Sequence, residues 1–455
     1  MEEIREECGV FGIFDLDSSL DVARMTRFAL YGLQHRGQES CGIAVGSGNS
    51  ILSHRDTGLV AEVFNESILE SLKGRQAIGH VRYSGAGRRG NAQPLVVNYR
   101  DGMIAIAHNG NLVNYKSLRE ELAGEGGTFI AGSDTELILQ FLCRQLVKLP
   151  PDEAVARMMS QIRGSYAAVA LLPNALIGFR DPYGIRPLCL GKMNNAYLLS
   201  SESCVFDILG AEFVRDVAPG EIIIIDKNGL CSLQAFHEEK TALCVFEFVY
   251  FARPDSYIDG VSVHKARMQA GRQLAQEYPV EADLVIGAPD SALSAAKGYS
   301  RESGIPYGHG LIRNRYVGRT FIQPTQEMRD AAVRLKFSAL SAEIAGKRLV
   351  MVDDSIVRGT TTRLIVQMLK RAGAKEVHLR ISSPPVKHPC FYGIDTATSA
   401  QLVASRLSQK EIREMIGADS LGYLSHKGLL QIPQNINCGL CDACFTGNYI
   451  VPPEQ

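Results

Sequence analysis

The 455-residue sequence has no excess of charge of either sign: 48 Lys and Arg stand against 49 Asp and Glu, a formal net charge of -1. Without a global basic field the chain is not built for nucleic acid or an anionic membrane surface, and any anionic ligand must be held locally. No apolar stretch approaches the roughly 18 to 20 residues that a membrane-crossing helix needs; the isoleucines at 222–225 are typical of its short apolar pieces. The opening Met1-Glu2-Glu3-Ile4-Arg5-Glu6-Glu7 is acidic, the opposite of an export signal, and points to a cytoplasmic protein. A Walker A loop is missing, since Gly346-Lys347 lacks both the upstream glycine and the following Ser or Thr. One Gly-x-Gly-x-x-Gly pattern, at 85–90, runs into Asn91-Ala92-Gln93-Pro94 rather than a helix and is set aside. There is no internal repeat and no low-complexity tract.

What is present suits a globular chain of two to four domains: 45% hydrophobic and 21% charged residues over this length. Eleven cysteines, an odd number, fit a reducing compartment with reactive or metal-bound thiols better than a disulfide framework. Up to about residue 235, short apolar runs at 8–14, 42–45, 103–107 and 166–172 predict layered sheets. One helix is predicted over 135–149, where Leu137, Ile138, Phe141, Leu142 and Leu146 recur behind a Ser133-Asp134 start signal. From about 262 strands and helices alternate, which predicts a mostly parallel sheet with crossover helices. Between these halves, 236–261 carries Pro254, Asp255 and Gly260 and reads as a hinge.

The strongest single signal is Val350-Met351-Val352-Asp353-Asp354-Ser355-Ile356-Val357-Arg358-Gly359-Thr360-Thr361. A strand ends in two carboxylates, a loop with Gly and Thr follows, and a helix begins. Free N–H groups at a helix start suit a phosphate monoester. Adjacent carboxylates repel a bare phosphate but suit ribose hydroxyls or Mg²⁺ beside it. The pattern resembles the type I phosphoribosyltransferase signature. That resemblance implies a site for phosphoribosyl pyrophosphate (PRPP) made by Asp353, Asp354, Ser355, Arg358, Gly359, Thr360 and Thr361. It also implies one Mg²⁺ per subunit held near Ser291, Asp353 and Asp354, with Gly287-Ala288-Pro289-Asp290-Ser291 as the pyrophosphate-side loop. The cation-rich 313–336 stretch reads as a mobile lid, with Arg315, Arg319 and Lys336 over the leaving group.

The first half carries Glu7-Cys8-Gly9, Gln34-His35-Arg36-Gly37-Gln38, Gly79-His80-Val81-Arg82-Tyr83-Ser84, His108-Asn109-Gly110-Asn111 and Ser133-Asp134-Thr135-Glu136. Together these resemble the class II glutamine amidotransferases, whose nucleophile is an N-terminal cysteine with its own α-amine as base. An α-amino pKa of about 7.7 to 8.0 makes that base workable near neutral pH. By this resemblance Cys8 attacks the glutamine amide, Asn109 and the Gly110 N–H hold the oxyanion, Arg82 takes the substrate α-carboxylate and Asp134 its α-ammonium. Cys8 is not residue 1, so 1–7 is expected to be a propeptide removed at Glu7-Cys8.

The two halves joined resemble the amidophosphoribosyltransferase family, and within it the branch with propeptides and iron–sulfur clusters. The expected architecture is an N-terminal nucleophile αββα sandwich over 8–235, then a type I phosphoribosyltransferase parallel-sheet domain over 262–410 and a helical tail over 411–455. The resemblance implies conversion of PRPP, glutamine and water to 5-phosphoribosylamine, glutamate and pyrophosphate, inhibition by purine nucleotides, and a homotetramer. The tail carries Cys438-Gly439-Leu440-Cys441-Asp442-Ala443-Cys444, a strong metal signal that does not by itself separate zinc from iron–sulfur. The family comparison implies a [4Fe–4S] cluster on Cys244, Cys390, Cys441 and Cys444, with Cys438 as a neighbouring fifth candidate. A different reading, a non-catalytic PRPP sensor that acts on DNA, needs a basic surface and a DNA-reading module that the sequence does not display.

Overall fold

A computed structural model of the chain describes residues 8–83, 91–129, 132–314, 316, 334–394, 399–436 and 438–454. The expected propeptide, the glycine pattern at 85–90 and the expected lid residues Arg315 and Arg319 lie outside the described residues.

Two antiparallel sheets packed face to face make the first half. In one, of seven strands, Gly9–Asp15 lies between Ala196–Ser200 and Gln76–Arg82. In the other, of six, Gly102–Leu112 pairs with Gly164–Leu172. The two-residue period of a strand explains the layers. Ile104, Ile106, Tyr166, Ala168 and Ala170 face a helical layer, while Ala105, Ala107, Ala167, Val169 and Leu171 face the opposite sheet. Both faces are buried, so the strands read as continuous apolar runs with small residues turned to the middle layer. Helices Val22–Gly32 and Cys204–Leu209 cover the first sheet; Asp134–Leu146 and Pro151–Met159 cover the second. Ser133 starts the third of these as expected, its hydroxyl accepting from the Glu136 N–H. The expected αββα sandwich is the fold observed.

The second half is a four-stranded parallel sheet in the order Leu284–Gly287, Arg348–Asp353, Glu376–Ile381 and Ser420–Tyr423. Leu349 and Met351 enter one core, Val350 and Val352 the other, as expected of a sheet covered on both faces. Helices Leu293–Ser303 and Thr360–Arg371 follow the first two strands. The fourth strand comes from beyond residue 410, in the stretch expected to be a helical tail. Four residues are too few to display a strand's alternation.

The 236–261 connector is packed rather than loose. It contains a five-residue π-helix, Glu247–Phe251, and Phe246, Phe248, Val249 and Phe251 are buried in the core of the second half. That aromatic run outweighs the loosening expected from Pro254 and Gly260.

Candidate functional site

Cys8 directly precedes the Gly9–Asp15 strand and is half-buried. The Arg36 Nε donates to the Cys8 carbonyl at 3.2 Å. Gly37 lets this loop lie close, since a Cβ there would sit 2.6 Å from the Arg82 backbone. Burial pushes the Cys8 thiol up, and the Arg82 guanidinium opposes that. Arg82 also acts on Asp134, in the first turn of its helix, so one cation reaches both groups. Burial raises the Asp134 carboxyl to about 6 against the Leu112 N–H, which donates to it at 2.7 Å, and against Arg82.

Asn109 is 2% exposed, and its Nδ2 has no hydrogen-bond partner among the described residues. A buried amide donor left open is costly unless something else uses it. Gly110 follows at φ 148°, where a Cβ would lie 2.0 Å from the Ser165 carbonyl oxygen, so only glycine fits. The structure thus brings Cys8, Arg82, Asn109, Gly110 and Asp134 onto adjacent strand ends and one helix start.

The second site is a cavity of about 370 Å³ at the end of the Arg348–Asp353 strand. Asp353, Asp354, Ser355, Arg358, Gly359, Thr360 and Thr361 all line it, together with Asp290, Ser291 and Lys336. Gly359 at φ 77° turns the chain into the Thr360–Arg371 helix, whose first N–H groups lack partners within the helix. Ser291 Oγ donates to Asp354 Oδ2 at 2.5 Å and Ser355 Oγ to Asp354 Oδ1 at 2.7 Å, fixing the carboxylate at the cavity wall. His35 and Gln38, from the first half, line the same cavity.

The tail meets the connector through a two-residue parallel bridge that sets Cys244 opposite Cys441. The Cys444 carbonyl accepts from the Lys387 and His388 N–H groups at 3.0 Å, which brings it beside Cys390. Burial pushes the Cys441 thiol up to about 12 and raises Cys244 and Cys444 further, with repulsion among the four sulfurs contributing. Cys438 faces elsewhere: its thiol reaches Asp259 Oδ2 at 3.5 Å, beside Arg180. Among the described residues no three His, Cys, Asp or Glu side chains are close enough to share a single metal ion.

Sequence reasoning assigned no role to one buried network. Arg36, at 1% exposure, holds Glu202 at 2.5 Å and Glu247 at 2.7 Å, both fully buried. Glu202 also accepts from His35 Nε2, the Ser256 hydroxyl and the Arg253 N–H. The only local hint was the Gln34-His35-Arg36-Gly37 string itself.

Comparison with known proteins agrees with both halves. A glutamine amidotransferase domain model matches residues 80–207, and a phosphoribosyl transferase domain model matches 261–382. The amidophosphoribosyltransferase of Archaeoglobus fulgidus is 51% identical, covering 98% of this chain and 99% of its own. That of Bacillus subtilis is 49% identical over 98% and 94%. The solved Bacillus subtilis glutamine PRPP amidotransferase, complexed with ADP and GMP, superposes with a TM-score of 0.92 at 47% identity over 98% of each chain. Near half identity over almost the whole of both chains, with both domains in the same order, the chain belongs to the amidophosphoribosyltransferase family.

Proposed function

We propose a division of labour in which Cys8 releases ammonia from glutamine and the Asp353-to-Thr361 cradle directs it onto PRPP. The products are glutamate, pyrophosphate and 5-phosphoribosylamine, at the entry to purine nucleotide synthesis. The observation that carries this reading is the shared cavity: His35 and Gln38 of the amidotransferase half line the same space as Asp353 and Asp354. His35 adjoins Arg36, whose side chain bonds the Cys8 carbonyl, so this loop joins the two sites, and shielding ammonia from water keeps it unprotonated and nucleophilic.

With residues 1–7 removed, the Cys8 α-amine takes the thiol proton and the sulfur adds to the amide carbon. Asn109 Nδ2 and the Gly110 N–H receive the negative charge on oxygen. The amine returns the proton to the departing nitrogen, and water then cleaves the thioester to glutamate. Arg82 and Asp134 match the carboxylate and ammonium of glutamine. Because Asp134 titrates near 6 in the free enzyme, its carboxylate is lost below that pH. kcat/KM for glutamine should therefore fall with one slope where the α-amine protonates and with a steeper one below about 6. A profile that keeps a single slope down to pH 5 would remove Asp134 from the binding role.

In the second site the loop and helix start take the 5-phosphate, Asp353 and Asp354 take the ribose hydroxyls, and ammonia displaces pyrophosphate at C1. Mg²⁺ would be held by Asp353, Asp354 and Ser291, whose oxygens suit a hard cation, and would neutralise charge on the leaving group. The test is a stoichiometric assay in which glutamate and pyrophosphate appear one to one. Asp354→Asn should lower kcat/KM for PRPP about 10- to 100-fold, the worth of a charge-assisted hydrogen bond. Glutamate released without matching pyrophosphate would contradict the reading.

We further propose a [4Fe–4S] cluster on Cys244, Cys390, Cys441 and Cys444. Cys244 is buried and the other three are partly buried, and the four thiols act on one another electrostatically; a polynuclear centre would bind them as thiolates. Its role would be structural, tying connector and tail to the second half. Iron and acid-labile sulfide should be near four of each per chain; Cys444→Ser should lose most of both, and Cys438→Ser should keep them. The ADP and GMP carried by the Bacillus subtilis neighbour support purine nucleotides as feedback inhibitors here; a homotetramer completes the proposal.

A further inference from the structure

The oxyanion strand of the amidotransferase half rests on a segment of the other half. Gly393, at φ 100°, packs against Gly110 so closely that a Cβ on it would lie 2.9 to 3.1 Å from the Gly110 C, Cα and O atoms. Its neighbours are fastened to the same strands. Asn111 Nδ2 donates to the Phe391 carbonyl at 2.9 Å, and Ser165 Oγ to the Tyr392 carbonyl at 2.7 Å. Arg186 Nε donates to that carbonyl as well, at 2.9 Å. In the strand ladder Asn111 is opposite Ser165 and Gly110 opposite Tyr166, so these bonds converge on the peptide that holds Gly110. Tyr392 cannot drift, being 1% exposed with its hydroxyl locked to the Val451 main chain on both sides.

We propose that Gly393 is a positioning residue for the glutaminase reaction. The 391–393 segment of the phosphoribosyltransferase half sets where the Gly110 N–H points, and the absence of a side chain at 393 is what allows that placement. The inference rests on the reading of Asn109 and Gly110 as the oxyanion site. Donors aimed at the developing oxyanion act on the transition state and not on substrate binding, so their displacement appears in kcat rather than KM.

The experiment compares Gly393→Ala, Ser165→Ala and Asn109→Ala with the parent in two assays, glutamine-dependent and ammonia-dependent formation of phosphoribosylamine. Gly393→Ala should lower the glutamine-dependent kcat about 10- to 100-fold, in the range of an oxyanion donor misplaced by a fraction of an ångström. KM for glutamine should stay within threefold, and ammonia-dependent turnover within twofold. Ser165→Ala, which adds no bulk and meets no positive φ, should give the same split at about 3- to 10-fold, and it decides the matter if Gly393→Ala does not fold. Equal loss in both assays, a loss carried by KM, or an unchanged kcat in both variants would overturn the proposal. Asn109→Ala separates the two readings: if it leaves glutaminase intact, the oxyanion assignment fails; if it abolishes glutaminase while Gly393 and Ser165 variants are silent, only the positioning role fails.

Discussion

Cys8→Ala is expected to abolish glutamate release, by about 10⁴-fold or more, while leaving ammonia-dependent formation of phosphoribosylamine within a few-fold of the parent. The asymmetry follows from where the chemistry sits. Cys8 lies at the head of the Gly9–Asp15 strand in the sandwich, whereas Asp353 and Asp354 end a strand of the separate parallel sheet. Removing the sulfur removes the thioester, and neither Asn109 nor Arg82 can replace a covalent nucleophile. Free ammonia bypasses the lost step. Burial already raises the Cys8 thiol, so attack depends on a base at the sulfur rather than on a standing thiolate. In the proposed mechanism that base is the α-amine, which would exist only once 1–7 is cleaved. Intact mass of the active parent should therefore match a chain beginning at Cys8. Full glutaminase activity in a species still bearing 1–7 would refute the amine mechanism, and loss of both activities in Cys8→Ala would refute the division into two sites.

How much of this was legible in the sequence depended on how far apart the cooperating residues are. Asp353 to Thr361 are contiguous, and their cradle is a local strand, loop and helix start, so that geometry could be read directly. The period of two in Gly164–Leu172 is hidden, because both faces are buried and, apart from Ser165, carry small or apolar residues; only the short length and the flanking glycine gave the strand away. Among the evenly spaced tail cysteines the sequence already favours Cys441 and Cys444 over Cys438, and the fold turns the Cys438 thiol toward Asp259. Gly393 and Gly110 lie in different halves, and no local pattern could pair them. The same holds for Arg36, whose carboxylate partners are 166 and 211 residues away.

Arg36→Met should destabilise the folded chain by about 3 to 5 kcal/mol at pH 7, the usual cost of stripping one partner from a buried ion pair. The methionine fills much of the arginine's volume, so the loss is electrostatic before it is steric. Among the described residues Glu247 would keep Arg186, at 3.9 Å, and Glu202 would keep His35 and three neutral donors, the Ser256 hydroxyl, the Arg253 N–H and the Cys204 thiol. The sign of the pH dependence follows from Glu202. Burial would raise its carboxyl, but His35 and Arg36 outweigh burial and hold it well below the carboxylate range. In the parent, its contribution is present above the unfolded value of about 4.3 and is lost only as pH falls through the much lower folded value. In Arg36→Met the depression is relieved, so protonation costs the variant less and the gap between the two proteins should narrow as pH drops below about 5. Denaturant unfolding at pH 7 and pH 4.5 measures both terms. Adding Glu247→Gln to Arg36→Met should recover part of the loss, because the second change removes a charge that the first left stranded. Strictly additive losses in that double variant, or a pH-independent difference from the parent, would assign Arg36 to packing and dissolve the electrostatic link it makes between the Cys8 carbonyl and the connector.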